Sequence, residues 1–364
     1  MKINDIVQIL NKFAPLPLQE SFDNCGLIVG NREEDAKGVL LCIDITERVV
    51  EEAIRMGFNM IVSHHPLIFR PLKSLTVSNY VERCLLLAIK NDIAIYAGHT
   101  NFDNASNGVS WRLAQKLGLK NIQVLVPKNN CYSKIISFVP NDYIDKVSIA
   151  AFESGAGHIG SYDCCSFASE GQGSFRALEG TNPFVGKIGE LHRENEVRLE
   201  FITPNYIVDN LIFNIKKSHP YEEPAIDIIP LSNVSSSEGL GVFGTLEEPL
   251  AEEDFLKTVK EICKIPVVRH SRICGKKISR VALCGGSGGD FIGNAKRCNA
   301  DIYLTSDLHH HHFFSSEDGM LIADIGHFES EQFVKEIFYE EITKKFPNFA
   351  VRFSEEDNSV ISYL

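Results

Sequence analysis

The sequence has no excess of positive charge, no long apolar run and no leader-like start. Its 36 Lys and Arg residues are outnumbered by 48 Asp and Glu residues, which gives a formal net charge of −12. A surface that binds nucleic acid needs clustered cations, so this composition argues against a nucleic-acid partner. No run approaches the roughly 20 apolar residues of a bilayer span, and the first residues lack the apolar stretch of a signal peptide. We therefore expect a cytoplasmic protein without a membrane segment.

The ten cysteines form neither a CxxC pair nor a dense framework. In a chain without an export signal, cysteines scattered in this way are expected to be reduced, buried thiols. The fractions of hydrophobic residues (44%) and charged residues (23%) are sufficient for a folded core. A chain of 364 residues is also about twice the length of one ordinary domain, so we expect two or more domains.

Strands and helices alternate in the first part of the chain. Short apolar runs predict strands, and segments with one apolar face predict helices. The predicted strands are 39–44, 60–62 and 93–97, and the predicted helices are 47–56 and 80–91. Such alternation predicts an α/β protein with a largely parallel sheet.

The C-terminal part of the chain repeats this pattern. A shift of 242 residues aligns residues 39–65 with residues 281–307 and gives five identical positions. A shift of 228 residues aligns Gly98-His99-x-x-x-Asp103 with Gly326-His327-x-x-x-Glu331, and both motifs follow an apolar strand. We interpret the repeat as a duplication that produces two similar α/β domains.

Polar, turn-rich segments near residues 127–130 and 232–237 separate the two similar parts from different material between them. The predicted domains are 1–126 and 237–364, the two halves of one duplicated core, and 127–236, an insert. The predicted elements of the insert are strands over 134–139 and 197–203 and helices over 142–154 and 206–218. This order suggests a small ferredoxin-like α+β module.

Two neighbouring histidines follow the second predicted strand. His64 and His65 stand at the carboxyl end of a parallel strand, which is the edge where α/β sheets place ligands. Each ring nitrogen needs a partner, and one solution is for each imidazole to bind a separate metal ion. The alternative is a strand end whose histidines form hydrogen bonds with the backbone.

The two Gly-His-x-x-x-acid motifs favour the metal. If His327 opens a helix, Glu331 lies one turn later on the same face, so an imidazole and a carboxylate converge. The predicted ligands are His64, His65, Asp103, His327 and Glu331. Such a set suits two divalent ions a few ångströms apart with one bridging carboxylate, and the lack of a matching cysteine argues against a Cys-rich structural zinc site. Zinc is our first expectation, with Mn, Fe or Co as alternatives.

Further residues are candidates for supporting roles. His99 is either a ligand or a residue that orients one, and we favour the second role. Asp307 aligns with His65 and is a candidate for orienting a ligand or contacting the substrate. The run Gly285-Gly286-Ser287-Gly288 either binds substrate phosphate through backbone N–H groups or forms a tight turn that requires glycine. The four consecutive histidines 309–312 cannot all point one way, so we expect at most two to face the site.

Several motifs together resemble the YbgI/YqfO (Nif-three-like) dinuclear-metal family, whose members are commonly named type 2 homologues of GTP cyclohydrolase I. The core motifs are 20–27, 63–67, 98–103, 305–307 and 326–331. Two stretches of the insert, 155–160 and 219–224, are similar to the signal-protein-PII/CutA-like module of the longer members. The resemblance covers the whole chain.

The resemblance implies two similar α/β domains with a two-metal site, assembled as a toroidal homohexamer, a trimer of dimers. It implies the same five ligands and adds Asp23 and His311 as candidates for orienting a ligand or contacting the substrate. Ser306 replaces the glycine of the family's Thr-Gly-Asp motif, and His312 replaces an acid.

The leading functional hypothesis is a metal-dependent hydrolase of GTP cyclohydrolase 1 type 2 kind, in which metal-activated water attacks a nucleotide-like substrate. One alternative is a non-enzymatic, metal-dependent regulator or scaffold whose PII-like insert senses a ligand. Another alternative is a two-metal phosphoesterase.

Overall fold

The computed structural model describes all 364 residues, except for the side chain of Asp318. The chain divides into two compact units. We call Met1–Pro127 with Ser237–Leu364 the core unit, and Lys128–Ser236 the insert unit. Among the described residues, no helix combines the length and apolar character that crossing a bilayer requires.

Strands and helices alternate along most of the chain. The strands are β1 (Gly26–Val29), β2 (Val39–Cys42), β3 (Met60–Ser63), β4 (Ala94–Ala97), β5 (Lys120–Pro127), β6 (Tyr132–Pro140), β7 (Phe167–Arg176), β8 (Leu191–Pro204), β9 (Ile226–Leu231), β10 (Gly239–Ala251), β11 (Arg269–His270), β12 (Lys277–Ser287), β13 (Ile302–Ser306), β14 (Leu321–Asp324) and β15 (Val351–Phe353). The α-helices are α1 (Ile3–Phe13), α2 (Glu47–Met56), α3 (Tyr80–Lys90), α4 (Thr100–Asn104), α5 (Val109–Lys116), α6 (Ile144–Glu153), α7 (Val208–Ser218), α8 (Glu252–Cys263), α9 (Ile292–Arg297), α10 (His327–Glu331) and α11 (Val334–Lys345). The 3-10 helices are Leu16–Leu18, Asn141–Tyr143, Asn205–Ile207, Gly289–Phe291 and His310–Asp318.

The first sheet of the core unit has the order β1-β4-β3-β2-β15. Strands β4, β3, β2 and β15 run parallel, and β1 is antiparallel to β4. Every residue of β2, β3 and β4 is buried, because α2 and α3 cover one face while α1 and α11 cover the other. Such two-sided burial explains why these strands are continuous apolar runs in the sequence.

The second sheet has the order β11-β14-β13-β12-β10-β5. Strands β12, β13 and β14 are parallel, whereas β11, β10 and β5 run antiparallel to their neighbours. Helices α5 and α8 pack on one face, and α9 packs on the other. The predicted alternation of strands and helices is therefore present in both parts of the core, as a mixed α/β fold.

The two sheets exchange their last elements. Helix α5 and strand β5 precede the insert, yet Leu113 packs in the core of the second sheet and β5 pairs with β10. Helix α11 and strand β15 end the chain, yet Phe338 packs in the core of the first sheet and β15 pairs with β2. A cut at residue 126 or 237 would therefore not separate two self-contained bodies, because each half completes the sheet of the other.

The insert unit has one antiparallel sheet and two helices. Its chain order is β6-α6-β7-β8-α7-β9, and its sheet order is β7-β8-β6-β9. Apolar residues of both helices, including Val147 and Leu211, pack against Ile135 of β6 and Phe201 of β8. The strands and helices predicted for the insert lie at these positions, with β8 extending further towards the N-terminus than predicted.

Candidate metal centre

Three parallel strands of the first sheet bring the histidine pair to one edge. Strand β3 ends at Ser63 between β2 and β4, and His64 and His65 follow directly. His64 is fully buried, and its Nδ1 pairs with the backbone oxygen of Gly98 at 2.7 Å, at the end of β4. Parallel sheets place ligands at this edge, so the order of the strands brings both histidines to a position suited to ligand binding.

Two short helices contribute the acids. Helix α4 follows β4 and carries Asp103, and helix α10 follows β14 and carries His327 and Glu331. His327 opens α10 as the sequence suggests, and its Nε2 lies 3.3 Å from Oε2 of Glu331 one turn later. The spacing of four residues places both side chains on the same face of the helix.

Three groups of side chains could hold a metal ion. They are His64 with Asp103 and Glu331, His65 with His327 and Glu331, and His64 with His65 and His99. Within each group the ligand atoms lie within 4.8 Å of one another. The structure therefore brings all five predicted ligands together.

Glu331 belongs to two of these groups through different oxygen atoms. Its Oε1 lies 3.5 Å from Nε2 of His64, whereas its Oε2 lies 3.1 Å from Nε2 of His65. Oδ1 of Asp103 lies 3.7 Å from Nε2 of His64. Glu331 thus stands between the two groups, with one oxygen turned to each.

The cluster contains buried polar atoms that lack a hydrogen-bond partner among the described residues. They are Nε2 of His64, Oδ1 of Asp103 and Oε2 of Glu331. Leaving such atoms unpaired in a protein interior costs about 1–3 kcal/mol each, and more where the group is charged. Bound cations would give these atoms the partners they lack, so the residues fit a metal site.

Opposite charges in the cluster shift the pKa values in opposite directions. Burial disfavours the charged form of His65, but its hydrogen bond with Asp44 and the nearby carboxylate of Glu331 raise its pKa to about 10. Burial would also raise the pKa of Glu331, but the imidazoles that face it hold the pKa well below its usual range. Burial and the nearby charge of Glu331 raise the pKa of Asp103 to about 7. The raised pKa values of His65 and His327 thus favour the positive charge that offsets Glu331.

Each histidine of the cluster uses Nδ1 for a protein partner and leaves Nε2 towards the centre. Nδ1 of His65 pairs with Asp44 at 2.8 Å, Nδ1 of His327 pairs with Asp307 at 2.6 Å, and Nδ1 of His99 pairs with Asp23 at 2.9 Å. A carboxylate on one ring nitrogen fixes the tautomer and the direction of the other nitrogen, as is usual for metal-binding histidines.

Asp44 is the member of this set that was not predicted from the sequence. It follows β2, the strand next to β3, so its carboxylate reaches the same sheet edge as His65. The signal was present, because an acid two residues after a buried parallel strand lies where ligands collect.

Asp23 and His99 form a buried pair beside the cluster. Asp23 accepts hydrogen bonds from the Thr100 backbone and side chain and from Sγ of Cys25 as well as from His99. Burial would raise the pKa of Asp23, but these contacts with His99, Thr100 and Cys25 lower it. The ring of His99 lies edge-on to both His64 and His65, with centroids 5.3 and 5.4 Å away. His99 is therefore close enough to bind a metal, and its Nδ1 contact equally suits a role in orientation.

The glycine run packs against Glu331. The backbone N–H of Gly285 donates to Oγ of Ser110, and that of Gly286 donates to Oγ of Ser330, so neither group is free for a phosphate. Gly286 has a φ of +66°, and a Cβ added there would collide with the Glu331 carboxylate. The first half of the run therefore supports the interpretation as a tight turn that requires glycine.

The histidine run lies outside the three candidate groups. Its residues 310–312 open the 3-10 helix His310–Asp318, and the ring of His311 stacks on that of the exposed Phe314. His312 packs over Gly289 and pairs with the backbone N–H of His309. Asp307, just before the run, is the residue that reaches the cluster.

Proteins of known sequence or structure resemble this chain along most or all of its length. The chain is 38% identical over 341 residues to a Halalkalibacterium halodurans protein named GTP cyclohydrolase 1 type 2 homolog, covering 93% of this chain and 91% of the relative. A Bacillus subtilis protein of the same name is 37% identical, with 99% and 98% covered. The crystal structure of a Bacillus cereus protein related to NIF3 superposes with a TM-score of 0.87 at 36% identity, covering 100% of this chain and 99% of that one.

A family model described as Duf34/NIF3 (NGG1p interacting factor 3) matches residues 1–359. The match spans the core motifs, the insert and the ligand candidates alike, so the sequence resemblance is confirmed. The chain belongs to the Duf34/NIF3 family.

Proposed function

We propose that the core unit is a metal-dependent hydrolase that holds two divalent ions and acts on a nucleotide-like substrate, in the manner of a type 2 GTP cyclohydrolase 1. The observation that carries the proposal is Glu331, whose two oxygens face two different groups of ligand candidates. The name GTP cyclohydrolase 1 type 2 homolog of the relatives supports the substrate class.

His64 and Asp103 would hold one ion, His65 and His327 would hold the other, and Glu331 would bridge them. We propose zinc as the bound metal, because imidazole and carboxylate ligands suit it. Mn, Fe and Co also accept such ligands. When bound, the two ions would supply Lewis-acid polarisation and water activation.

The side chains around the cluster hold protons at defined atoms. Asp44 and Asp307 keep the proton of His65 and His327 on Nδ1, so that Nε2 remains the ligand atom. Asp23 does the same for His99, whose Nε2 then faces the reaction space as a group that accepts or returns a proton. His99 is in this proposal a proton carrier and not a permanent ligand.

The exposure of the ligands indicates where a substrate enters. The side chain of His64 is fully buried, whereas those of His65, His327 and Asp307 are 23%, 33% and 49% exposed. A substrate would approach from the side of His65 and His327, and Asp307 stands at the rim of that opening.

The repeated order of elements supports an origin by duplication. Strands β2, β3 and β4 and strands β12, β13 and β14 each form a parallel triplet, and α4 and α10 follow the third strand of each. We also propose that the insert is ferredoxin-like, as its sheet order supports, and that six chains of 40.6 kDa form a trimer of dimers. Light scattering would test the assembly, and a mass of one or two chains would contradict it.

Metal analysis combined with GTP turnover tests the hydrolase. The His65→Ala variant should lose metal and turnover, while His158→Ala, an exposed histidine of the insert, should retain both. Full GTP turnover by a metal-free double variant at His65 and Glu331 would exclude the mechanism. Metal-loaded protein without turnover would favour the second candidate, a regulator whose insert binds a ligand, which a cavity in the insert unit supports.

A further inference from the structure

The insert unit contains a cavity of about 710 Å³ that the metal chemistry does not use. It lies between the β7–β8 hairpin and the segment around Tyr221. The aromatic rings of Phe138, Phe175, Phe184 and Tyr221 line it. A volume of this size is typical of sites for small molecules.

A buried carboxylate faces this aromatic cavity. Glu196 on β8 is only 9% exposed, and among the described residues it has no Lys, Arg or His partner. Its carboxylate lies over Gly173 on the neighbouring strand, where a Cβ would collide with it. Glycine at this position therefore leaves room for a carboxylate that forms no ion pair with a described Lys, Arg or His residue. A buried charge without a partner is costly, so such a group points to a partner from outside.

The hydroxyl of Tyr221 reinforces this arrangement. Its oxygen atom is buried and lies beside the Glu196 carboxylate. Burial and the nearby Glu196 carboxylate raise the pKa of Tyr221, so the phenol stays protonated and neutral. A hydrogen bond from the phenol to Glu196 would satisfy an oxygen atom but would not compensate the negative charge.

The remaining charged residues of the lining make the cavity negative. Glu222 and Glu223 add two carboxylates at the entrance, against one guanidinium from Arg176. The lining thus carries three acids and one base. An anionic ligand would have to approach against this balance, whereas a cation is favoured.

We propose that this cavity binds a small organic cation, an amine whose charged nitrogen pairs with Glu196 and whose apolar body lies against the four aromatic rings. Aromatic faces attract organic cations through their quadrupoles, and a carboxylate beneath them adds the ion pair. A metal ion fits less well, because the described residues of the insert offer no group of three His, Cys, Asp or Glu ligands. The site is independent of the metal centre of the core unit.

A matched pair of ligands tests the charge requirement. 2-Phenylethylamine is protonated at pH 7, and 2-phenylethanol has nearly the same shape without the charge. Titration calorimetry on the full-length, metal-loaded protein should show binding of the amine, with the alcohol at least about tenfold weaker. Equal binding of both ligands would overturn the proposal, as would no heat from the amine or from tetramethylammonium up to millimolar concentrations.

Variants locate the binding and separate it from the core. Glu196→Gln should weaken amine binding at least about tenfold, whereas Glu170→Gln on the exposed part of β7 should leave it unchanged. Phe184→Ala, at a ring that is 50% exposed, should also weaken binding without unfolding the insert. Unchanged affinity in both Glu196→Gln and Phe184→Ala would overturn the proposed site. Metal content and GTP turnover should be the same in Glu196→Gln as in the unmodified protein, so the outcome does not depend on the hydrolase.

Discussion

Asp103 and Glu331 occupy matching places in the two halves of the core but have opposite surroundings. Asp103 lies beside Glu331, and its pKa is raised to about 7 by burial and by that neighbouring charge. Glu331 faces three imidazoles, which hold its pKa well below the usual range despite its burial. The longer side chain reaches the centre of the cluster and the shorter one stays at its edge. The two Gly-His-x-x-x-acid motifs thus place one acid between two groups of ligand candidates and the other beside only one of these groups.

The residues at the ends of β3 and β13 also differ in what they contact. His64 and His65 follow β3, whereas Ser306 ends β13 and Asp307 follows it. His65 presents Nε2 to Glu331, while Asp307 instead pairs with Nδ1 of His327. The aligned positions therefore hold a ligand candidate in one half and the carboxylate partner of a ligand candidate in the other.

The largest expected effect is that of Glu331→Gln. Removal of the bridging charge should abolish binding of both ions, whereas Asp103→Asn should remove only the ion that His64 also holds. Metal analysis of the purified variants measures this difference, with the exposed Glu33→Gln as a control. Equal loss of metal in the two variants would break the distinction between a bridging and a peripheral acid.

The exchange of helices between the two sheets predicts the next largest effect. Phe338 of α11 packs on Phe102 of α4 in the core of the first sheet, with ring centroids 4.8 Å apart, so Phe338→Ala should cost about 3–5 kcal/mol in the free energy of unfolding. Leu113→Ala in α5 should cost about 2–5 kcal/mol through the second sheet.

Hydrogen exchange would show which sheet responds. Phe338→Ala should lower protection first in β3 and β4, although these strands are more than 200 residues away in sequence. Phe314→Ala, at an exposed ring, should change the free energy of unfolding by no more than about 0.5 kcal/mol. Loss of protection confined to the second sheet in the Phe338 variant would contradict the exchange.

The residues that orient the ligands are expected to have intermediate effects. Asp44→Asn and Asp307→Asn should each weaken metal binding about 10–100-fold, because the histidine loses the carboxylate that fixes its tautomer. Asp23→Asn should have a smaller effect on metal affinity and a larger one on turnover, since its partner His99 is not one of the five proposed ligands. Competition with a metal chelator measures the affinities. If the Asp23 variant lost the most metal affinity, His99 would itself be a ligand.

The local elements and the five converging residues were predictable from the sequence because their signals are local. The helix predicted over 47–56 coincides with α2, where Thr46 caps the N-terminus and Gly57 ends the helix. In the two Gly-His-x-x-x-acid motifs, helical spacing was sufficient to predict that the acid lies near the other candidates.

The remaining features depend on which strands become neighbours. Asp44 reaches His65 because β2 pairs with β3, and α11 covers the first sheet because β15 pairs with β2. Such pairings join segments that are far apart in the chain, and the periodicity of apolar residues does not predict them. The packing of Gly286 against Glu331 is another contact of this kind.

Gly286→Ala is expected to have the smallest effect and separates two roles of a glycine. Gly286 and Gly275 both have positive φ values, +66° and +76°, so an alanine strains the backbone at either position. Only the Cβ at 286 meets the Glu331 carboxylate, whereas the position at 275 is open. Gly286→Ala should therefore weaken metal binding by about tenfold, or about 1.4 kcal/mol, while Gly275→Ala leaves it unchanged. If both variants lost stability equally and neither lost metal affinity, the glycine would serve the turn alone, and the position of Glu331 would be set entirely by α10.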